Sequence, residues 1–312
     1  MVLQSLSPEE AQSVLQGSGL ISKLSQSDPL AAAELLSTYG TSENNHHWQS
    51  VGRYYAAQDP EKAYAWASSL PPEQQKQALA GVIQRMAESD GLGAFQKAQL
   101  LEDKNSRENT MENVLRQWVN SDPEGMEKAV PQMSGDTRTG AQNFLIAQKS
   151  QNDPSEAADY LLGLQRSSNP DDQKAAASNF HNLGEHWARL NPKAAAAWGS
   201  QLPPGESQDR FIQGMASQWV QVDAFNASIW IKDLPAGKGR DYAVVNLVTT
   251  IKESDPDSAL VWAGQIQDEG QRQSAFENSL RAYLKKDPAA GRRAVEASSW
   301  SPERKAQFLQ SQ

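Results

Sequence analysis

The stretch Asp59-Pro60-Glu61-Lys62-Ala63-Tyr64-Ala65-Trp66-Ala67-Ser68-Ser69-Leu70-Pro71-Pro72 decides the fold. Aspartate opens a helix well, because its carboxylate accepts a hydrogen bond from the otherwise unpaired N–H groups of the first turn. Proline directly after it has its φ already near the helical value and lacks an N–H that would go unused there. A helix of about ten residues is predicted from Pro60 to Ser69. Leu70-Pro71 ends it, since the residue before proline disfavours α geometry. A second helix is predicted from Pro72 to Glu88, where Ala78, Leu79, Val82, Ile83 and Met86 fall on one stripe at helical spacing.

Working outward, the Asp anchor recurs at Asp28, Asp90, Asp122, Asp153, Asp223, Asp255 and Asp287, with Asn191 as a close variant. The nine anchors are 31, 31, 32, 31, 38, 32, 32 and 32 residues apart. Proline follows seven of them; Asp90 and Asp223 lack it. Seven residues after the anchor stand Trp66, Trp198, Trp230 and Trp262, with Tyr160 in the same column. Eleven after it come Leu70, Leu101, Leu164, Leu202, Leu234 and Ile266. Four before it lie Leu24, Tyr55, Met86, Trp118, Trp187, Trp219, Ile251 and Tyr283, a column that only Lys149 breaks. The regular anchors Asp28, Asp59, Asp122, Asp153, Asn191, Asp223, Asp255 and Asp287 read as structural helix caps, because catalytic residues are singular rather than periodic. Trp66, Trp118, Trp187, Trp198, Trp219, Trp230 and Trp262 read as core, ahead of a carbohydrate platform.

No segment alternates with the period of a half-buried strand, so the chain is expected to be all-α. One helical hairpin with one apolar stripe cannot bury it alone, so successive hairpins must stack. The expectation is a right-handed α-solenoid, a superhelix of about nine helix-turn-helix repeats of 31–32 residues, forming one elongated domain over residues 1–312. The repeat at 153–190 is longer, and Ser167-Ser168-Asn169-Pro170-Asp171-Asp172 within it reads as an extended loop or extra turn. It reads first as a tolerated insertion, since loops accept extra residues cheaply, and in the sharper reading as a kink that shapes a binding face, with Lys149 and Tyr160 as the candidate binding region. Leu6-Ser7-Pro8-Glu9 leading to Val14-Leu15-Gln16 matches Trp300-Ser301-Pro302-Glu303 leading to Phe308-Leu309-Gln310, so half-repeats are expected at both ends. A start halfway through a repeat is what removal of an export segment would leave, which favours a periplasmic or secreted chain.

Composition narrows function by exclusion. The 312 residues hold 29 Lys+Arg and 38 Asp+Glu for a net charge of −9, so nucleic-acid binding over the whole surface is disfavoured. The balance is uneven: residues 1–156 hold 12 basic and 20 acidic groups, residues 157–312 hold 17 and 18. Between Arg272 and Lys305 eight basic residues face four acidic ones, a weak anionic contact at most. Mean hydropathy is −0.67 and no run suits a membrane span. Cysteine is absent, which removes disulfides and thiolate chemistry.

The catalytic motifs are equally sparse. His46 and His47 are adjacent and point about 100° apart on a helix, while His181 and His186 are five apart, so no metal site is expected. The carboxylate pairs Glu102-Asp103, Asp171-Asp172 and Asp268-Glu269 sit at loops and helix ends, where solvated charge is the default. Gly91-Leu92-Gly93 and Gly237-Lys238-Gly239 complete no nucleotide loop.

The pattern Asp-Pro-x-x-Ala-x-x-Trp-Ala, carried by Asp59 to Ala67 and again by Asp255 to Ala263, resembles tandem helical-hairpin repeats of uncharacterised bacterial proteins. The layout is also similar to tetratricopeptide-type solenoids, with a shorter period and without their W-x-x-L-G-x-x-Y signature. The resemblance implies a binding scaffold and transfers no catalytic residue. The expected function is therefore a non-enzymatic, monomeric scaffold that binds a protein or peptide on its concave face, without cofactor. The alternative is a helical toroid or superhelix acting on polysaccharide with paired acids.

Overall fold

A computed structural model describes residues 19–39 and 46–311, with the side chain of His46 excepted. The N-terminal half-repeat expected around Leu6 to Gln16 lies outside the described residues. Among the described residues there are nineteen α-helices and no strand. Two compact units divide between Gln148 and Lys149.

In the first unit, α1 (Leu20–Ser27), α2 (Pro29–Tyr39), α3 (His46–Gln58), α4 (Pro60–Ser68), α5 (Pro72–Met86), α6 (Gly91–Gln99), α7 (Lys104–Ser121) and α8 (Pro123–Ala129) follow in order. A 3₁₀ turn at Val130–Gln132 leads to α9 (Gly135–Asn152), which runs to the boundary and just past it. The second unit holds α10 (Pro154–Arg166), α11 (Pro170–Leu190), α12 (Pro192–Gly199), α13 (Glu206–Val222), α14 (Ala224–Asp233) and α15 (Lys238–Ile251). It closes with α16 (Pro256–Ala263), α17 (Glu269–Lys286), α18 (Pro288–Ala297) and α19 (Pro302–Gln310). Consecutive helices pack on one another from α1 to α8 and from α10 to α19, and longer second helices also pack side by side: α3 on α5 and α5 on α7, then α11 on α13, α13 on α15 and α15 on α17.

Seven of the nine anchors are one-residue corners between two helices, and a three-residue turn precedes Asp90 and Asp255. Each anchor's N–H donates to the carbonyl four residues back, as from Asp59 to Tyr55 at 3.0 Å and from Asn191 to Trp187 at 2.8 Å, which closes the preceding helix. Its side chain accepts from the first turn of the next helix, as Asp28 does from Ala31 N–H at 3.0 Å and Asp122 from Gly125 N–H at 2.9 Å. The same bond is made by Asp59, Asp90, Asp153, Asn191, Asp223, Asp255 and Asp287. Each such bond contributes about 1 kcal/mol.

The stripes read from the sequence face inward. Ala78, Leu79, Val82, Ile83 and Met86 on α5 are buried, as are Phe211, Ile212, Met215, Ala216 and Trp219 on α13. The irregular repeat corrects one expectation. Its extra residues lengthen the helices rather than a loop: α10 has 13 residues, α11 has 21, and only residues 167–169 separate them. The polar cluster is the start of α11, where Asn169 accepts from Asp171 N–H at 2.9 Å and Asp172 accepts from the Ser167 hydroxyl at 2.8 Å. Asp172 is buried, so this carboxylate is not the solvated charge expected of it.

Candidate functional site

The corner geometry brings together two columns that the sequence lists separately. The residue four before the anchor and the residue seven after it touch across the corner. Tyr55 meets Trp66 with ring centroids 5.6 Å apart, Trp187 meets Trp198 at 5.6 Å, and Trp219 meets Trp230 at 5.3 Å. Trp118, Trp187 and Trp219, in the earlier column, are buried. Trp66, Trp198, Trp230 and Trp262, expected as core, are half-buried. For Trp66, Trp198 and Trp230 the reason is that the ring lies over the corner, with one side against its partner and the other toward solvent. Trp48 is buried, its ring centroid 6.5 Å from that of Trp66.

Lys149 and Tyr160 occupy the same two positions. The Lys149 ammonium lies 5.1 Å from the Tyr160 ring centroid and 2.6 Å from a Glu156 carboxylate oxygen, and its side chain is only 13% exposed. The residue that breaks the apolar column thus makes the same contact in a different chemistry, a cation against a ring. The pair is a corner contact.

The carboxylate pairs are built into the frame. Asp103 caps α7, accepting from Ser106 N–H at 2.8 Å, with Lys76 3.2 Å away. Those Ser106 hydrogen bonds, and then Lys76, hold its carboxyl at about 2, below the usual 3.8. Asp268 caps α17 through Gln271 N–H at 2.8 Å. A buried carboxylate that sequence reading missed, Asp241, accepts from the N–H groups of Gln267 and Asp268 at 2.9 Å each. Asp209 does likewise for Gly239 at 2.8 Å. The signal was available: both acids stand fourteen residues before an anchor.

A further column clamps the turn inside five of the hairpins. Gln75, Arg107, Arg138, Gln208 and Arg272, sixteen or seventeen residues after an anchor, donate to turn carbonyls. Arg272 reaches the Ile266 carbonyl at 2.8 Å and Arg107 the Leu101 carbonyl at 2.6 Å. These cations serve the fold first. Among the described residues no three of His, Asp and Glu are grouped so as to hold a metal ion.

Among the grooves of the described residues, two between second helices have positions that follow from side-chain size. Where two second helices pack, the facing residues stand seven before one anchor and nine before the next. Gly52 and Gly81 occupy these positions in α3 and α5, and Gly184 and Gly214 occupy them in α11 and α13. A Cβ on Gly52 would collide with the Ala78 carbonyl, and one on Gly81 with that of Gln49. Gly184 and Gly214 meet the backbones of Phe211 and His181 in the same way. Backbones in contact leave no groove.

In α7 and α9 the equivalent residues are Leu115 and Phe144, and in α15 and α17 they are Val248 and Asn278. There the helices are held apart. The α7/α9 groove, about 550 Å³, is lined by Glu108, Met111, Glu112 and Leu115 from one side and Asp136, Thr137, Gly140, Asn143 and Phe144 from the other. The α15/α17 groove, about 380 Å³, carries Val245, Val248, Thr249 and Lys252 opposite Gln271, Ser274, Ala275 and Asn278. An apolar floor with a polar rim suits a peptide side chain or a short helix. Compared with family models, with curated proteins and with solved structures, the chain shows no match in any of the three.

Proposed function

We propose that the chain is a scaffold of stacked helical hairpins, an α-solenoid, which binds peptide segments of other proteins in the grooves between its second helices. The observation that carries this reading is a difference in contact between pairs of second helices. Glycine pairs close α3 on α5 and α11 on α13, whereas Leu115 with Phe144 and Val248 with Asn278 hold grooves open. The ionisable groups nearest to chemistry (Asp103, Asp241 and Asp268) are committed to backbone N–H groups, which supports contact rather than catalysis as the task.

A random 12-residue peptide library selected on the immobilised full chain tests the reading. Enrichment of binders that are lost on filling a groove, by Gly140→Trp in α9 or Ser274→Arg in α17, is the expected result. A library that yields no saturable binder overturns the proposal. Small-angle scattering tests the arrangement, since a solenoid gives an elongated profile and a compact sphere is incompatible with it.

A further inference from the structure

We propose that the α7/α9 groove takes a partner segment in which Lys or Arg stands beside bulky apolar side chains. This inference rests on the scaffold reading above and names its ligand.

The groove has a floor of Met111, Leu115 and Phe144 and a rim of Glu108, Glu112 and Asp136. The floor recognises apolar side chains through burial; Met111 adapts to their shape because its thioether side chain is flexible and polarisable. The rim selects sign. Residues 102–136 hold eight acidic and four basic side chains. Three of those four cations are engaged: Arg107 donates to turn carbonyls, Lys104 pairs with Glu108 at 3.7 Å, and Arg116 pairs with Glu112 at 2.7 Å and lies 5.4 Å from the Phe144 ring centroid. Eight acids against four cations leave this segment four charges negative, so a basic segment is attracted to it and distinguished from an acidic one.

Gly140 supplies an independent observation. It lies inside α9, where glycine destabilises a helix by about 1 kcal/mol relative to alanine. The glycines of α3, α5, α11 and α13 are required by a touching backbone, but a Cβ on Gly140 would meet nothing within 4 Å. Gly163 is equally open, on an exposed helix face; Gly140 forms part of a groove wall. Nothing in the hairpin itself requires a bare backbone there. A second chain lying along the groove does.

Peptides enriched from the random library on the full chain are sequenced, and one is labelled with fluorescein for anisotropy titration. The expected pool pairs Lys or Arg with Leu, Ile, Phe or Met. The Glu108→Lys/Glu112→Lys double variant, which changes two exposed side chains, should weaken the labelled peptide about tenfold or more and weaken its salt dependence. Gly140→Trp should abolish binding, and circular dichroism should show both variants as helical as the parent. An enriched pool without basic residues overturns the proposal, as does binding that neither variant alters. If peptides are enriched and only Ser274→Arg removes them, this assignment fails while the scaffold stands. If none is enriched, both fall.

Discussion

The corner at Asn191 and the corner at Asp153 share one backbone and differ in what crosses it. The anchor N–H reaches the carbonyl four residues back at 2.8 Å in both, on Trp187 in one and Lys149 in the other. Across the first corner, Trp187 and Trp198 pack at 5.6 Å, and Phe211 joins them 4.8 Å from Trp198. Across the second, an ammonium sits over Tyr160 and holds Glu156. The comparison teaches that the corner itself is a backbone device, an N-cap fused to a helix end. The side chains on either side need only touch. Two rings do this by burial, which salt and pH leave alone; a cation and a ring do it by electrostatics, which they do not.

Breaking the aromatic corner should have the largest effect. Trp187→Ala is expected to cost about 3–5 kcal/mol, because it removes a buried ring and two of its aromatic contacts. Urea unfolding followed by circular dichroism measures it, and a loss under 1 kcal/mol would place Trp187 outside the core. Forcing the neighbouring helices apart comes next. Gly214→Val drives a side chain into the His181 carbonyl and should cost about 1–3 kcal/mol, whereas Gly140→Ala, in open space, should be neutral or stabilising.

Sharpening the comparison requires the cationic corner. Lys149→Ala should cost about 1 kcal/mol, the scale of one cation–ring contact with a partly exposed ion pair, and the loss should shrink in high salt. If Lys149→Ala destabilises as much as Trp187→Ala, the cationic corner is not the weaker of the two and the contrast between them fails.

The smallest effects lie in the caps. Asn191→Ala and Asp153→Ala should each cost about 1 kcal/mol. Acid separates Asn191 from Asp223, whose carboxyl is held below the usual 3.8 by hydrogen bonds from the Asn226 side chain and backbone. A carboxyl lowered in the folded state adds stability that is complete above about pH 4 and is lost as pH falls through the lower folded value. Asp223→Asn should therefore flatten the acid limb of a stability–pH curve. A neutral cap such as Asn191 contributes no such slope.

How far the sequence could be read differs from feature to feature. The anchors and inward stripes were legible because caps and helical periodicity are local, set within three or four residues. Lys149 was legible only as an oddity. Its partner stands eleven residues on, across a corner whose angle no local rule supplies. The Ser167–Asp172 cluster misled because turn-forming residues also start helices, and here Asn169 and Pro170 open α11. The four outer tryptophans were placed in the core because periodicity records which residues face a neighbour, not whether the far side of a ring is covered. The grooves were not legible at all. Gly52 and Phe144 read alike as helix positions until the helix opposite each is known.

The sequence by itself determined that this protein is helical, where each corner falls and which stripe each second helix buries. Capping and amphipathicity operate within one or two turns, so the chain carries them openly. Only the tertiary structure decided which second helices touch backbone to backbone and which stand apart around a groove. That depends on the summed size of two side chains about thirty residues apart, meeting in a densely packed interior where a single Cβ changes the distance between helices.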